Sequence, residues 1–218
     1  MGKATGFMDY DRRLAEERPC GERIRNWDEF HPALDDAGAK EQAARCMNCG
    51  VPFCHGGVSW QGVSSGCTIG NLIPEWNDLV YKGRYEEAYR RLEKTNPLHE
   101  FTSRVCPALC EGSCTAGLNG EPVAIREIER FLSDLAWEKG WVTPHPPAVR
   151  NGKTVAVVGS GPAGLTAAIH LNRLGCAVTV FEKSEAPGGL LMFGIPNMKL
   201  PKDLLARKID VLRAEGIH

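Results

Sequence analysis

The feature that most constrains this chain is the spacing of its cysteines. Seven of the nine cysteines lie between residues 46 and 114. They fall into two groups, Cys46-x2-Cys49-x4-Cys54 followed by Cys67, and Cys106-x3-Cys110-x3-Cys114. Three explanations compete for such spacing: a disulfide network, a zinc site and iron–sulfur clusters.

Properties of the whole chain argue against disulfides. The N-terminal stretch MGKATGFMDYDRRLAEERPCGER is charged and has no apolar core typical of a secretory signal. We therefore expect a cytoplasmic protein, where structural disulfides are rare. The net charge of −1 gives no sign of a nucleic-acid surface, and the apolar runs are too short to suggest a membrane partner. An odd number of clustered cysteines then favours metal binding.

The spacing also distinguishes between metals. Zinc sites commonly use two C-x2-C pairs, and this chain contains one such pair within the two groups. Iron–sulfur sites use short runs of thiolates completed by a distant cysteine, often beside a proline, and Pro107 follows Cys106. The pattern favours iron–sulfur over zinc. Cys20 and Cys176 lie apart, and we expect Cys176 to be a small buried apolar residue.

Seven cysteines leave two four-iron clusters one ligand short. The stretch EPVAIREIERFLSDLAWEKG predicts an amphipathic helix in which Glu129 falls inside the apolar stripe. A buried carboxylate is costly unless it is paired or bound to metal, so Glu129 is either an eighth ligand or an acid paired with Arg126 or Arg130. His55 and His99 lie near the cysteines but are more typical of residues that surround a metal site.

A second pattern begins after the proline-rich stretch TPHPPAVRNGK. The runs TVAVV and AVTVF predict strands, and PAGLTAAIHLNRLG between them predicts a helix, which together indicate a parallel βαβ unit. We therefore expect a helical domain over residues 1–146 and the start of a Rossmann-like domain over residues 147–218. One βαβ unit is a small sheet, so we expect this chain to be a portion of a longer protein.

The turn VVGSGPAGLTAA places three glycines in the G-x-G-x-x-G spacing between strand and helix, which is typical of dinucleotide binding. Glu182, which follows the second strand, is placed to accept hydrogen bonds from a ribose, and an acid there favours FAD or NAD over NADP. A glycine turn of another α/β fold is the alternative, and the Gly188–Gly189 turn could equally be an ordinary loop. The candidate cofactor-binding residues are Gly159, Ser160, Gly161, Pro162, Ala163, Gly164, Glu182, Lys183, Gly189 and Leu190.

The motifs CMNCGVPFC, GCTIGNLIPEWNDLVYKGRYEEAYRRLEKTNPLHEFTSRVCPALCEGSC, VAVVGSGPAGLTAA and GGLLMFGIP together resemble the small (β) subunit family of NADPH-dependent glutamate synthase. The wider family includes the N-terminal part of dihydropyrimidine dehydrogenase. The resemblance implies a helical N-terminal iron–sulfur domain followed by the first part of an α/β Rossmann-like FAD-binding domain. The stretch HGGVSWQGVSSG before Cys67 is longer than in many relatives.

The resemblance also implies a ligand set for two [4Fe–4S] clusters. Cys46, Cys49, Cys54 and Cys114 would hold one cluster. Cys67, Cys106 and Cys110 would hold the other, and Glu129 occupies the place of the family's non-cysteine oxygen ligand.

The function implied by the resemblance is electron input. Electrons would pass from NADPH through FAD and the two clusters to a large (α) subunit, which forms glutamate from glutamine and 2-oxoglutarate. The resemblance assigns this chain no acid–base catalytic residue, and a portion of the enzyme is expected to be inactive alone. The alternatives are a related flavin and iron–sulfur oxidoreductase subunit, of the pyrimidine reductase or electron-bifurcating type, and a non-catalytic zinc-bearing docking module.

Overall fold

The computed structural model describes residues 2–56 and 59–218. Helices dominate the N-terminal two thirds, and two parallel strands with their connecting helix follow. The elements in chain order are α1 (Gly6–Asp9), α2 (Cys20–Arg23), α3 (Asp36–Ala44), α4 (Phe53–Gly56), β1 (Ser59–Trp60), β2 (Val63–Ser64), α5 (Ile73–Tyr81), α6 (Tyr85–Glu93), α7 (His99–Val105), α8 (Leu109–Gly112), a 3-10 helix (Thr115–Leu118), α9 (Ile125–Glu138), β3 (Thr154–Val158), α10 (Pro162–Arg173), β4 (Ala177–Phe181), α11 (Leu190–Phe193) and α12 (Lys202–Ala214).

These elements form two compact units. The first contains the chain up to Glu17 together with His31–Trp141, and the second contains Arg18–Phe30 together with Val142–His218. The boundary between residues 146 and 147 stays a prediction from the sequence. In the parts of the chain that the structure describes, no helix has the length and apolar character that a membrane crossing requires.

The first unit is built around one apolar core. Helices α3, α5, α6 and α9 provide most of it, and the cysteine-bearing loops pack against its edge. Helix α3 leads into the first cysteine group and begins where the Asp35 side chain accepts a 2.8 Å hydrogen bond from Gly38 N. The fully buried members of this core include Ala39, Ala43, Ile73, Trp76, Val80, Ala88, Leu92, Ile125, Ile128 and Leu132.

Helix α9 is buried over a wider arc than the predicted stripe. Phe131 and Ser133 are buried together with Ile125, Ile128, Leu132 and Ala136 of the apolar stripe. Arg130, which helical spacing puts outside the apolar stripe, is only 6% exposed. Its Nε lies 3.6 Å from the Asp134 carboxylate, which Arg104 also binds at 2.9 Å. Packing of α7 against α9 explains the difference, because it covers a side that the helical pattern alone leaves polar.

The second unit confirms the predicted βαβ arrangement. Strands β3 and β4 pair in parallel, with Thr154 opposite Ala177 and Val158 opposite Phe181. Helix α10 connects them and packs on both strands. After α12, residue Ile217 forms a parallel bridge with Val178, so a third strand position begins beside β4.

Candidate iron–sulfur and dinucleotide sites

One small cavity in the first unit is lined by four cysteines. Its volume is about 20 Å³, and apolar residues such as Pro74 and Val123 complete its wall. Cys46 comes from the end of α3, Cys49 from the following turn and Cys54 from α4, while Cys114 arrives from the second cysteine group. These four thiols are Cys46, Cys49, Cys54 and Cys114.

A second cavity contains the other three cysteines of the two groups. It has a volume of about 250 Å³ and is lined by Cys67, Cys106, Cys110 and Glu129, with Asn96 and Thr102 beside the carboxylate. The fold therefore brings together in one cavity the three thiols and the acid that the resemblance implies for the second cluster.

The carboxyl group of Glu129 has no ion-pair partner at contact distance among the described residues. Its Oε1 accepts a 3.0 Å hydrogen bond from Asn96 Nδ2 and a short one from the Thr102 hydroxyl. Burial raises the pKa of Glu129 to about 7, against the hydrogen bond from Thr102 and the charge of Arg126. A buried acid in this state is a ready oxygen donor for a cation that enters the cavity.

Burial acts on the thiols in the same direction as on Glu129. Burial, together with the neighbouring cysteines, raises the pKa of Cys54 to about 12. Burial likewise raises the pKa of Cys46, Cys106 and Cys110. Thiols in such surroundings keep their protons unless a metal displaces them, so both donor sets fit groups that carry several positive metal centres. Within the described residues, no group of three or more His, Cys, Asp and Glu side chains lies close enough together to hold a metal ion.

Both cysteine turns share one backbone feature. The residue two positions after the first cysteine is left-handed in each turn: Asn48 has φ 48° and Ala108 has φ 56°. The backbone of Asn48 lowers the pKa of Cys46 and that of Ala108 lowers the pKa of Cys106, although burial raises both pKa values overall. Backbone dipoles placed in this way favour thiolates over thiols. The strain at Ala108 is unusual, because alanine has no side-chain group to compensate it.

The glycine turn of the second unit leaves its backbone open where a phosphate would lie. An added Cβ at Gly161 would meet nothing within 4 Å, which is the space that a pyrophosphate needs. An added Cβ at Gly164 would lie 2.0 Å from the Gly159 carbonyl oxygen, so α10 packs against the turn with no room for a side chain. Helix α10 begins at Pro162, which has no N–H, and the N–H groups of its first turn from Ala163 onward point toward this glycine turn.

Ser160 connects three parts of this site. Its N–H donates to Glu182 Oε2 at 3.0 Å and its hydroxyl donates to the same oxygen, while the hydroxyl accepts from Gly188 N at 2.9 Å. Ser184 N donates to Glu182 Oε1 at 2.8 Å. These donors, led by the Ser160 hydroxyl, lower the pKa of Glu182 to about 2. The carboxylate is therefore fixed and ionised where a ribose is expected.

An open cavity of about 510 Å³ lies beside this carboxylate. Of the predicted cofactor-binding residues, the structure places Gly159, Glu182, Lys183, Gly189 and Leu190 on its wall. The exposed side chains of Phe181 and Phe193 form its apolar part. Ser160 instead lines a separate cavity behind Glu182.

Some contributors to these sites were missed at the sequence level. Asn96 and Thr102 hold Glu129 although they lie 33 and 27 positions away in the chain, and no local pattern marks them. Lys202 was also missed: its Nζ donates to the carbonyl oxygens of Leu191 and Leu200 at 2.8 and 3.2 Å, and to that of Ile195. Only its position in LPKDL, after the predicted turn, could have suggested a role.

The fold and these cavities define an iron–sulfur domain followed by the beginning of a dinucleotide-binding domain. Residues 23–141 match the family model described as dihydropyrimidine dehydrogenase domain II, 4Fe-4S cluster, and residues 157–194 match an NAD(P)-binding Rossmann-like domain. Because the first match covers more than half of the chain, this protein belongs to the dihydropyrimidine dehydrogenase domain II family of 4Fe-4S proteins.

Three relatives refine this assignment. The chain is 53% identical over 217 residues to the glutamate synthase [NADPH] small chain of Bacillus subtilis, covering 100% of this chain and 44% of the relative. It is 39% identical to that of Azospirillum brasilense, with 99% and 43% covered, and 48% identical to glutamate synthase [NADH] of Saccharomyces cerevisiae, with 99% and 10% covered. The resemblance found in the motifs is confirmed, and the chain spans less than half the length of these relatives.

Proposed function

We propose that this chain is the electron-input portion of a glutamate synthase small subunit. In this function electrons from NADPH pass through FAD and two [4Fe–4S] clusters to a large subunit, where glutamate forms from glutamine and 2-oxoglutarate. The observation that carries the proposal is the sorting of seven cysteines and Glu129 into two cavities with four donors each. The small-chain names of its relatives support the choice of glutamate synthase.

We assign Cys46, Cys49, Cys54 and Cys114 as the ligands of the first cluster. Cys67, Cys106, Cys110 and Glu129 are the ligands of the second. The chemistry of the donors fits this assignment, because buried thiols with raised pKa values lose their protons when iron binds. Cys46 belongs to the apolar core, and Cys54, Cys67, Cys110 and Cys114 pack against it, so the core shields these sulfur atoms in part from water.

The second unit supplies the start of an FAD site. Ser160 and Ser184 hold the Glu182 carboxylate ionised toward a ribose diol, and the turn at Gly161 leaves room for the pyrophosphate. When bound, the flavin supplies two-electron exchange with a nicotinamide, and the clusters supply one-electron transfer. The chain's own residues bind, orient and shield these groups, and we assign no residue here to proton transfer.

Metal and sulfide analysis after anaerobic purification tests the proposal directly. We expect about eight iron and eight acid-labile sulfide atoms per chain from two four-iron clusters. Stoichiometric zinc without sulfide would exclude the proposal and support a zinc-bearing docking module. The control is the Cys49→Ser, Cys110→Ser double variant, which should lose the iron of both sites.

Identifying the protein that accepts electrons from this chain tests the proposed reaction. The chain is also 40% identical to a protein named putative oxidoreductase AegA of Escherichia coli, so other electron acceptors are a real alternative. The protein, isolated from its natural source under mild conditions, should co-purify with a large subunit that has glutaminase activity. Co-purification with a pyrimidine reductase or an electron-bifurcating partner would leave the proposed cofactors in place and would overturn the proposed glutamate synthase reaction.

A further inference from the structure

Arg45 is a buried cation without a contacting anion. Its side chain lies directly before Cys46 and is 4% exposed. Its Nη1 donates to the Pro122 carbonyl oxygen at 3.0 Å and its Nη2 to the Glu121 carbonyl oxygen at 2.8 Å. Both acceptors are neutral, and Nε has no hydrogen-bond partner within the described residues.

The charges around Arg45 do not account for its burial. The carboxylates of Glu121 and Asp11 act on it at longer range, and the guanidinium of Arg12 opposes them. Other buried or half-buried arginines of this unit are paired: Arg104 binds the Asp134 carboxylate at 2.9 Å, and Arg12 binds that of Glu111. Burying a guanidinium without a contacting anion is costly, and the described residues place no carboxylate in contact with Arg45.

The position of Arg45 identifies where that negative group belongs. Val123, next to its Pro122 acceptor, lines the first cavity together with Cys46 and Cys114. The sulfur of Cys114 is itself within electrostatic range of the guanidinium. The two hydrogen bonds therefore hold the positive charge beside the four-cysteine cavity and away from solvent.

We infer that Arg45 is the counter-charge of the first cluster and raises its reduction potential above the value that four thiolates alone would give. The inference rests on the proposed function, since it requires a cluster in this cavity. A four-iron core with four thiolates is an anion, and its negative charge grows when it accepts an electron. A fixed cation nearby therefore stabilises the reduced form more than the oxidised form.

The inference predicts a selective shift of one potential. In Arg45→Gln we expect the ratio of reduced to oxidised first cluster at a fixed potential to fall about tenfold, which is a midpoint about 59 mV lower for one electron. The second cluster should shift much less. Arg45→Lys keeps the charge and should stay near the unaltered value, whereas a purely structural role would make both variants similar.

The measurement is EPR-monitored redox titration of the anaerobically purified protein. Loss of a signal in Cys49→Ser identifies the first cluster, and Arg84→Gln, which removes an exposed arginine paired with Glu87, is the matched control. A first-cluster potential that is unchanged in Arg45→Gln overturns the inference. If Arg45→Gln assembles no first cluster, Arg45→Lys decides: an unaltered potential supports the inference, and a lowered potential or a missing cluster overturns it. Protein that holds no cluster before mutation would refute the proposed function itself.

Discussion

The backbone N–H of Cys67 donates a 2.8 Å hydrogen bond to the carbonyl oxygen of Cys54. The two residues line different cavities, so this bond ties the two proposed cluster sites together. It also closes the base of the long stretch between them, in which strands β1 and β2 form a short antiparallel pair. The extra length lies beyond this bond, so we expect the positions of both cysteines to depend little on it.

Shortening this loop should leave both cluster sites intact. We expect deletion of residues 59–64 to preserve iron and sulfide content, because the bond at the base still sets the separation of Cys54 and Cys67 and a shorter loop costs less entropy to close. The measurement is iron and sulfide stoichiometry with an EPR spectrum. Deletion of Gly66 alone is the control, since it shifts Cys67 by one position. Loss of either cluster in the longer deletion would show that β1 and β2 help to hold the ligands.

Glu129 should affect one cluster only. In Glu129→Ala we expect loss or conversion of the second cluster's EPR signal, because an oxygen donor is removed from a buried site, and an unchanged first signal. Glu129→Cys should restore a four-iron cluster with a lower potential, since a thiolate replaces a carboxylate. Glu138→Ala, at an exposed position of the same helix, is the control. Two unaltered clusters in Glu129→Ala would assign Glu129 a structural role.

Ala108 should be a position where glycine is stabilising. Relief of left-handed strain, worth about 1–2 kcal/mol, exceeds the entropic cost of glycine, so Ala108→Gly should raise the free energy of unfolding by about 0.5–1 kcal/mol. Ala108→Val should lower it by about 2 kcal/mol, because a β-branched residue tolerates this conformation poorly. Anaerobic urea unfolding checks both values. Ala88→Gly, in the interior of α6, should lower the free energy of unfolding, the opposite of the change expected for Ala108→Gly.

The low pKa of Glu182 has a consequence for stability at acid pH. Its folded-state pKa of about 2 lies below its ordinary value of 4.5. The contribution of Glu182 to the free energy of unfolding is therefore fully present above pH 4.5 and is lost as the pH falls toward 2. Ser160→Ala removes the main cause of this shift and should make the loss smaller. Hydrogen exchange of peptides from β3 and β4, compared at pH 6 and pH 3 and corrected for intrinsic rates, measures the difference. Glu182→Gln should abolish this pH dependence, and equal profiles in Ser160→Ala and the unaltered protein would contradict the assignment.

Lys202 should support cofactor binding indirectly. Its bonds to three carbonyl oxygens fix the segment after α11, and Leu190 and Phe193 of that helix line the cavity beside Glu182. Hydrogen bonds to a charged group contribute about 1.5–3 kcal/mol, so Lys202→Met should weaken FAD binding about tenfold or more. Flavin fluorescence titration of the protein measures this, with a substitution at an exposed lysine, Lys153→Met, as control. Unaltered affinity would confine Lys202 to local stability.

Local patterns predicted the elements of the fold well because each depends on its own stretch of sequence. The two strands and the helix between them follow from a β-branched run, a glycine turn and helical spacing, and α9 follows from its apolar stripe. The partners of Glu129 could not be predicted in this way. Asn96 and Thr102 reach it from the end of α6 and from α7, and only the packing of α7 on α9 brings them together.

The same limit explains Arg45 and Arg130. A helical wheel assigns an arginine to water, since it includes no neighbour that covers that side of the helix. Both hydrogen-bond acceptors of Arg45 are backbone carbonyl oxygens from the segment before α9. No local sequence pattern indicates that this segment covers Arg45.

The contact between Gly164 and the Gly159 carbonyl oxygen sets the height at which α10 sits over its strand. A methyl carbon added at Gly164 would lie 2.0 Å from that oxygen, so the start of the helix would have to move away from the turn. A change as small as Gly164→Ala would then carry the N–H groups away from a bound phosphate without altering any atom that touches it. Because the side chain of Gly164 is only a hydrogen atom, this position determines how closely α10 can approach a nucleotide at the turn.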